Sequence, residues 1–288
     1  MESPECLSVG PEFSIANGPK VDRRKSVIRA SKAAMILPAI GVFLGHGFML
    51  KLLVRDPVAR RRLLVRNVSS YSRWALRRLG VQVNVHNNKT TAENYLIVSN
   101  HLSYLDLMVI ASVCPAVFVT SIDMGEIFFL GTMAEIGGSL FIERRNRDRV
   151  GHDLQQIKGQ LDRGFHVVLF PEGTSSNGDS VLPFKKSLLM SAVEAGKKIL
   201  PLTLKYTHID GAPFSPANRD DVCWYGKMGF LPHLFRVMSK KSVVANLHFH
   251  MPIAPRDTDT RDTLAKWTYR VILGAYSGNG MLEIQTEP

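Results

Sequence analysis

Two short apolar runs, each ending directly in a polar loop, constrain the fold of this chain more than any other feature. The first run, residues 95–98, leads into NHLSYLD at 100–106, and a second apolar stretch follows at 107–111. The other run, residues 165–170, leads into PEGT at 171–174. Both runs have the length and composition of buried strands. Because polar side chains that follow such strands meet at the carboxyl ends of a sheet, the two loops are expected to face one cleft.

His101 and Asp106 are the candidate chemical pair in the first loop. A histidine takes and returns a proton near neutral pH, and a carboxylate on its far nitrogen fixes the tautomer and stabilises the imidazolium. On one continuous helix the two side chains would point to different sides, so they meet only if His101 lies in the turn that enters the helix. Ser103 and Asp106 also match a capping box, and on that interpretation Asp106 only caps the helix.

With the second loop included, the chain resembles the glycerolipid acyltransferases, the lysophosphatidic-acid-acyltransferase-like enzymes. The resemblance rests on four blocks that occur in the family's order between about residues 80 and 206. The blocks are His101-x4-Asp106, LFIERR at 140–145, FPEGT at 170–174 and ILPLT at 199–203. The chain departs from the family at Ser175, where many members have an arginine.

The resemblance implies a reaction and a set of site residues. Such enzymes carry an acyl group from a thioester, on coenzyme A or acyl carrier protein, to a lipid hydroxyl. His101 is then the general base and Asp106 its partner, and the thiolate leaves without an acyl-enzyme. No cofactor beyond the acyl thioester is implied. The residues implied to bind the acceptor are Arg144, Glu172, Gly173, Thr174 and Pro201.

Arg144 is implied to meet the phosphate of the acceptor, a task that suits a planar guanidinium. The alternative is that Arg144 belongs to a solvated run at a helix entry. The predicted acceptor is 1-acyl-glycerol-3-phosphate, which places the chain in phospholipid biosynthesis. Lyso-ornithine lipid, which has a carboxylate and no phosphate, is the alternative acceptor. Ser175 leaves fewer charges for a phosphate, and DDVCWYGKM at 220–228 resembles a run in the lyso-ornithine-lipid type enzymes.

Two other classes of function are weighed against the transferase. A serine hydrolase is disfavoured because no Gly-x-Ser-x-Gly elbow occurs in the sequence. A lipid- or phosphate-binding module is the non-enzyme alternative, since Gly173 to Gly178 could cradle a phosphate. That stretch lacks the Lys-Ser/Thr ending of a P-loop.

The net charge of +11 is concentrated near the N-terminus. Between Lys20 and Arg78 stand fifteen basic and two acidic residues, so this segment carries +13 and the rest of the chain −2. The basic residues bracket an apolar run, Ala33 to Leu50, and few aromatic residues are interleaved. This pattern predicts membrane lipids as partners and no nucleic acid.

The apolar run at 33–50 contains 18 residues, with Pro38 and three glycines among them. It is short for a membrane span, so a helix embedded in one leaflet is expected, with a single span as the alternative. Residues 57–79 are predicted to form a second helix that lies in the membrane interface or packs on the domain. Its apolar stripe consists of Leu64, Val68, Tyr71, Ala75 and Leu79.

From residue 81 onwards, predicted strands alternate with predicted helices, which is typical of an α/β domain with a mainly parallel sheet flanked by helices. The chain is therefore divided into a basic mobile tail (1–32), membrane-associated helices (33–79) and an acyltransferase domain (80–288). The predicted location is the cytoplasmic face of the inner (cell) membrane.

The cysteines and histidines predict neither a disulfide framework nor a metal site. The three cysteines lie far apart, which indicates a reducing compartment. His248 and His250 could face one side of a strand, but no third ligand is near them in the sequence.

Overall fold

The computed structural model describes residues 23–88, 93–125, 128–143 and 147–278, and within them eight strands form one sheet. The strands are β1 (Val81–His86), β2 (Leu96–Ser99), β3 (Ala116–Ser121), β4 (Leu140–Ile142), β5 (His166–Leu169), β6 (Ile199–Ile209), β7 (Ala212–Pro213) and β8 (Val243–Phe249). The helices are α1 (Arg23–Leu53), α2 (Pro57–Leu79), α3 (Tyr104–Val113), α4 (Ile122–Gly125), α5 (Phe128–Ile136), α6 (Val150–Asp162), α7 (Met190–Glu194), α8 (Phe230–Met238) and α9 (Arg261–Ser277).

The strand order is β1-β8-β6-β2-β5-β3-β4, with β7 paired to β6. Five of the pairings are parallel, and β6 runs antiparallel to β8 and β7. The predicted α/β fold with a mainly parallel sheet is confirmed. Burial explains the two kinds of strand: every residue of β2 is buried, whereas β8 alternates buried and half-buried residues. A continuous apolar strand is covered on both faces, and an alternating strand is covered on one.

One predicted helix is much shorter in the structure. The sequence predicts a helix over residues 185–195, with Gly196 as its stop signal, but only a 3-10 turn at Ser187–Leu189 and α7 are helical. The backbone N–H of Lys185 donates to the carbonyl of Pro171 at 2.8 Å. This bond holds the chain beside the loop that follows β5, and the helix begins only after it.

Helix α1 begins at Arg23 rather than at Ala33, so the predicted tail at 1–32 is helical in its last part. Arginine, lysine and serine are all tolerated in helices. A helix can therefore begin before the chain changes from polar to apolar residues. Residues 1–22 of that tail lie outside the described part of the chain. One face of α1 packs on the domain, where Lys32, Ile36 and Phe43 are buried.

Helix α2 packs against both α1 and α3, so it is part of the folded domain. Asp56 caps its start by accepting a hydrogen bond from Ala59 N–H, and Gly80 ends it in the left-handed region. The predicted stripe is only partly the buried face. Small polar residues are buried as well, and they are Asn67, Ser69 and Ser72. The predicted boundary at residue 80 is therefore a turn from helix to strand within one packed unit.

Candidate active site

The side chains of His101 and Asp106 meet where β2 ends and α3 begins. Nδ1 of His101 lies 2.8 Å from Oδ2 of Asp106. His101 is in the entering turn and Asp106 in the first turn of α3, which is the arrangement that their spacing requires. Asp106 accepts the proton of Nδ1, so the lone pair of Nε2 is free to act as a base. The imidazole is 18% exposed and stacks on the ring of Phe170, with the centroids 4.2 Å apart.

Asp106 also caps α3, so the two interpretations of this residue hold together. Its Oδ2 accepts hydrogen bonds from the backbone N–H groups of Leu102 and Ser103, at 2.6 and 2.9 Å. The hydroxyl of Ser103 accepts a bond from Leu105 N–H, and Ser103 and Asp106 together form a capping box. The same carboxylate therefore fixes both the start of the helix and the orientation of the imidazole.

Tyr206 supplies the remaining hydrogen bond to Asp106. Its hydroxyl donates to Oδ1 at 2.8 Å, and both side chains are almost fully buried. Burial, and then the charge of Asp106, raise the pKa of Tyr206 well above its ordinary value, so the hydroxyl keeps its proton and donates. Sequence reasoning missed this residue. The available signal was a tyrosine inside an apolar strand, because a buried tyrosine hydroxyl needs a polar partner.

The second loop holds the backbone of His101 on both sides. Oε1 of Glu172 accepts the His101 N–H at 2.9 Å, and the His101 carbonyl accepts the Ser176 N–H at 2.9 Å. Oε2 of Glu172 accepts from Leu182 N–H at 3.1 Å. Burial raises the pKa of Glu172 to about 8, although these two amide donors act in the opposite direction. The two loops predicted to face one cleft are thus joined directly by hydrogen bonds.

A third segment joins the two loops and was not identified as part of the site. The Trp224 N–H donates to the carbonyl of Leu102 at 2.9 Å, and the Trp224 carbonyl accepts from the hydroxyl of Ser175. Asn100 adds a tie within the sheet, because its amide exchanges two hydrogen bonds with the backbone of Leu204. The run at 220–228 therefore has a local structural role beside both loops.

The other predicted acceptor residues lie at different places. Gly173 has φ of 75°, a conformation that favours glycine, and the side chain of Lys185 lies over it, with Nζ 2.7 Å from where a Cβ would be. Thr174 is exposed beside it. Pro201 is buried inside β6, opposite Val98 of β2, and a substrate contact of Pro201 is not supported by that position. Arg144 lies outside the described residues.

The paired histidines do not converge. The ring of His248 stacks on His86 with the centroids 4.2 Å apart, whereas His250 Nε2 pairs with the Thr203 hydroxyl at 2.8 Å. Across the ranges that the structure describes, no group of three or more His, Cys, Asp or Glu side chains is placed to hold a metal ion.

Known proteins resemble this chain in sequence and in fold. A family model described as Acyltransferase matches residues 82–205. The lyso-ornithine lipid O-acyltransferase of Rhizobium meliloti is 34% identical over 196 residues, which is 66% of this chain and 66% of that protein. The 1-acyl-sn-glycerol-3-phosphate acyltransferase of Neisseria gonorrhoeae is 30% identical over 154 residues, 54% of this chain and 58% of that protein.

A solved structure has a similar fold over most of the chain. It is the crystal structure of the 1-acyl-sn-glycerophosphate (LPA) acyltransferase PlsC from Thermotoga maritima, with a TM-score of 0.61. The match covers 92% of this chain and 99% of that one, at 20% sequence identity. This structural likeness supports the fold alone. In sequence, the chain matches 66% of the length of the Rhizobium meliloti protein and 58% of the Neisseria gonorrhoeae protein.

We expect Tyr206→Phe to destabilise the fold and to lower the population of the Nδ1–H tautomer of His101. A hydrogen bond to a charged group contributes about 1.5–3 kcal/mol, and the variant removes one from Asp106. Denaturant unfolding measures the loss, and ¹⁵N NMR of the imidazole measures the Nδ1–H tautomer. Tyr269→Phe is the matched control, because its hydroxyl donates to a neutral carbonyl, that of Val181, at 3.2 Å. An unchanged tautomer in Tyr206→Phe would contradict a positioning role.

We expect the free energy of unfolding to fall as the pH rises from about 4.5 to about 8, in part because of Glu172. Between these pH values the folded state keeps a proton that the unfolded state releases. Raising the pH therefore stabilises the unfolded state relative to the folded state. Glu172→Gln cannot titrate, and its stability should change less steeply between those pH values. Glu194→Gln, at an exposed carboxylate on α7, should keep the wild-type slope. Equal slopes for all three proteins would refute the assignment.

Proposed function

Because this chain belongs to the acyltransferase family, we propose that it transfers an acyl chain from a thioester to the hydroxyl of a lysolipid. The observation that carries the proposal is the pair of His101 and Asp106, joined at 2.8 Å with Nε2 of the imidazole unpaired among the described residues. The acyl donor is acyl-CoA or acyl-acyl carrier protein, and the reaction uses no further cofactor.

The geometry supports a direct transfer. Nε2 of His101 takes the proton of the acceptor hydroxyl, while the oxygen attacks the thioester carbonyl. The carbon–sulfur bond then breaks, the new ester is released, and the thiolate leaves and can recover the proton from the imidazolium. Asp106 stabilises the imidazolium in between, since its own charge is held by three further donors, the amides of Leu102 and Ser103 and the hydroxyl of Tyr206.

An anionic acceptor is supported by the surroundings of the second loop. Ser175 replaces the arginine of many relatives, but the side chain of Lys185 lies over Gly173 and brings a positive charge to the same loop. The predicted acceptor is 1-acyl-glycerol-3-phosphate. Lyso-ornithine lipid is the second candidate, favoured by Ser175 and by the similarity to the Rhizobium meliloti protein.

The membrane attachment is proposed to be a helix in one leaflet. By length and composition α1 could cross a bilayer, and its exposed apolar residues are Val27, Met35, Leu37, Val42, Phe48, Met49, Leu52 and Leu53. Its other face, however, contacts the domain from Lys32, which donates to the carbonyl of Leu79, to Lys51, which pairs with Glu135. Those contacts span about 28 Å of helix, at about 1.5 Å per residue. A spanning orientation would therefore draw the domain surface into the bilayer.

Helix α8 extends this apolar surface. It packs against α1, and Leu231 and Phe235 are 56% and 36% exposed on it. The exposed arginines of α2, which are Arg62, Arg66, Arg73, Arg77 and Arg78, supply charge for anionic lipid. The cytoplasmic face of the cell membrane is the proposed location, because both acyl thioesters are made in that compartment.

His101→Ala should lower the rate of diacyl-lipid formation by roughly 10²–10⁴-fold without unfolding the protein, because it removes the general base. Asp106→Asn should be similarly slow and also less stable, since it disturbs the cap of α3. The assay uses protein in detergent with lysolipid and acyl thioester, and it separates diacyl lipid from free fatty acid. Near-normal rates for His101→Ala, with a normal melting curve, would end the catalytic assignment.

The control for this assay is His152→Ala, which removes an imidazole whose side chain is 65% exposed on α6 and should keep the wild-type rate. Free fatty acid as the product would indicate a hydrolase, and no product would indicate a binding module. In the same assay lysophosphatidic acid, lyso-ornithine lipid and lysophosphatidylcholine rank the acceptors. Equal rates with all three would contradict an anionic specificity.

Replacing Leu231 and Phe235 together by glutamate should reduce partition into liposomes by about tenfold or more, because two apolar side chains no longer insert. Flotation with anionic vesicles measures this, and circular dichroism checks the fold. High salt should release only part of the wild-type protein, since apolar insertion is not screened. Val85→Glu, at an exposed apolar position on the edge strand β1, should float normally. Normal flotation of the double variant would exclude α8 from the membrane surface.

A further inference from the structure

A cavity of about 280 Å³ lies between the start of α2, the end of α5, the start of β4 and the end of α6. Its wall is strongly basic, with Lys51, Arg60, Arg61 and Arg163 on it. The one carboxylate on the wall, that of Glu135, is bound to Lys51 at 2.5 Å. Within the described ranges, the three arginines therefore face the cavity with no carboxylate partner.

The arginines are close enough to affect one another. Burial lowers the pKa of Arg61, and the charges of Arg163 and Arg60 lower it further. Like charges held together in a partly buried place are unfavourable by themselves. An anion between them would remove that cost, and guanidinium groups are the side chains best shaped to bind phosphate oxygens.

Gln160 gives a second and independent indication of a ligand. It lies on the cavity wall and is 5% exposed, yet its Oε1 has no hydrogen-bond partner in the part of the chain that the structure describes. A buried amide oxygen without a donor costs free energy. A phosphate monoester near neutral pH can carry a P–OH group, which donates to such an oxygen while its other oxygens accept from arginine.

The cavity is separate from the candidate active site. Gly138 and Ser139, on its wall, precede β4, whereas His101 and Glu172 follow the ends of β2 and β5. The strands β2, β5, β3 and β4 are parallel neighbours in the sheet. The start of β4 therefore lies at the opposite end of the strands from the two loops of the candidate site.

We propose that this cavity binds the phosphate group of a membrane lipid, between Arg60, Arg61 and Arg163. The apolar surface of α1 continues up to it, since Phe48, Met49, Leu52 and Leu53 flank Lys51 and are all more than half exposed. Acyl chains on that surface would bring a head-group phosphate to the cavity. The bound phosphate would hold α2 and α6 together beside the end of α1.

The test measures binding without an acyl donor, so its outcome does not depend on the transferase activity. The full chain in neutral detergent is melted in sodium phosphate and in sodium chloride of equal ionic strength. Phosphate at about ten times its Kd should raise the Tm of the wild type by about 2–4 °C over chloride. Arg61→Gln and Arg163→Gln should each lose most of this shift, measured against the variant's own Tm in chloride. Two variants are used in case one of them folds poorly.

Arg149→Gln is the matched control, because Arg149 is an exposed arginine at the N-terminal end of α6, is not on the cavity wall, and should leave the shift unchanged. A short-chain phosphatidate below its micelle concentration separates the two sources of phosphate. Half-maximal shift at a tenfold lower concentration than inorganic phosphate would support a lipid ligand, and equal concentrations would overturn the lipid assignment in favour of free phosphate. No shift over chloride, or a full shift in both Arg61→Gln and Arg163→Gln, would overturn the site itself.

Discussion

The carboxylate of Asp106 is the group on which the rest of the site depends. It is fully buried, and a buried charge is tolerated only when donors surround it. Its donors are the imidazole of His101, the amides of Leu102 and Ser103, and the hydroxyl of Tyr206. One side chain thus couples the start of a helix, the orientation of a base and the centre of the sheet. A change at any of these donors is expected to be felt by the others.

Much of the fold and the central pair could be predicted from the sequence because the information is local. Apolar runs that end in polar loops indicate strands and their order along the chain, and the spacing of His101 and Asp106 lets their side chains meet in only one geometry. Tyr206 lies 100 positions from Asp106, and no local pattern connects them. The buried face of α2 was missed for a different reason. Asn67, Ser69 and Ser72 are buried on α2, which packs against α1 and α3, but hydrophobic periodicity cannot detect a buried helix face made by polar residues.

The second loop has a structural role in addition to the substrate-binding role that the family resemblance implies. Glu172 was assigned to the acceptor site by resemblance, yet both of its oxygens accept backbone amides. With the Ser176 bond, it holds the peptide of His101 from two sides. His101, the proposed base, and the loop proposed to receive the acceptor are therefore joined directly by hydrogen bonds. Trp224 adds a third segment, because its backbone forms hydrogen bonds with both loops.

The anchoring of α1 has a consequence for which substrates can be reached. The buried ammonium of Lys32 binds two carbonyls of the domain, those of Leu79 and Lys240, at one end of the helix, and Phe43 packs on Tyr71 near its middle. A flexible tether would let His101, the proposed base, sample many heights above a bilayer. In the proposed attachment of α1 to one leaflet, side-chain packing would instead hold His101 at one height above the lipid surface. A lysolipid whose free hydroxyl sits at another depth would have to rise out of the leaflet to react.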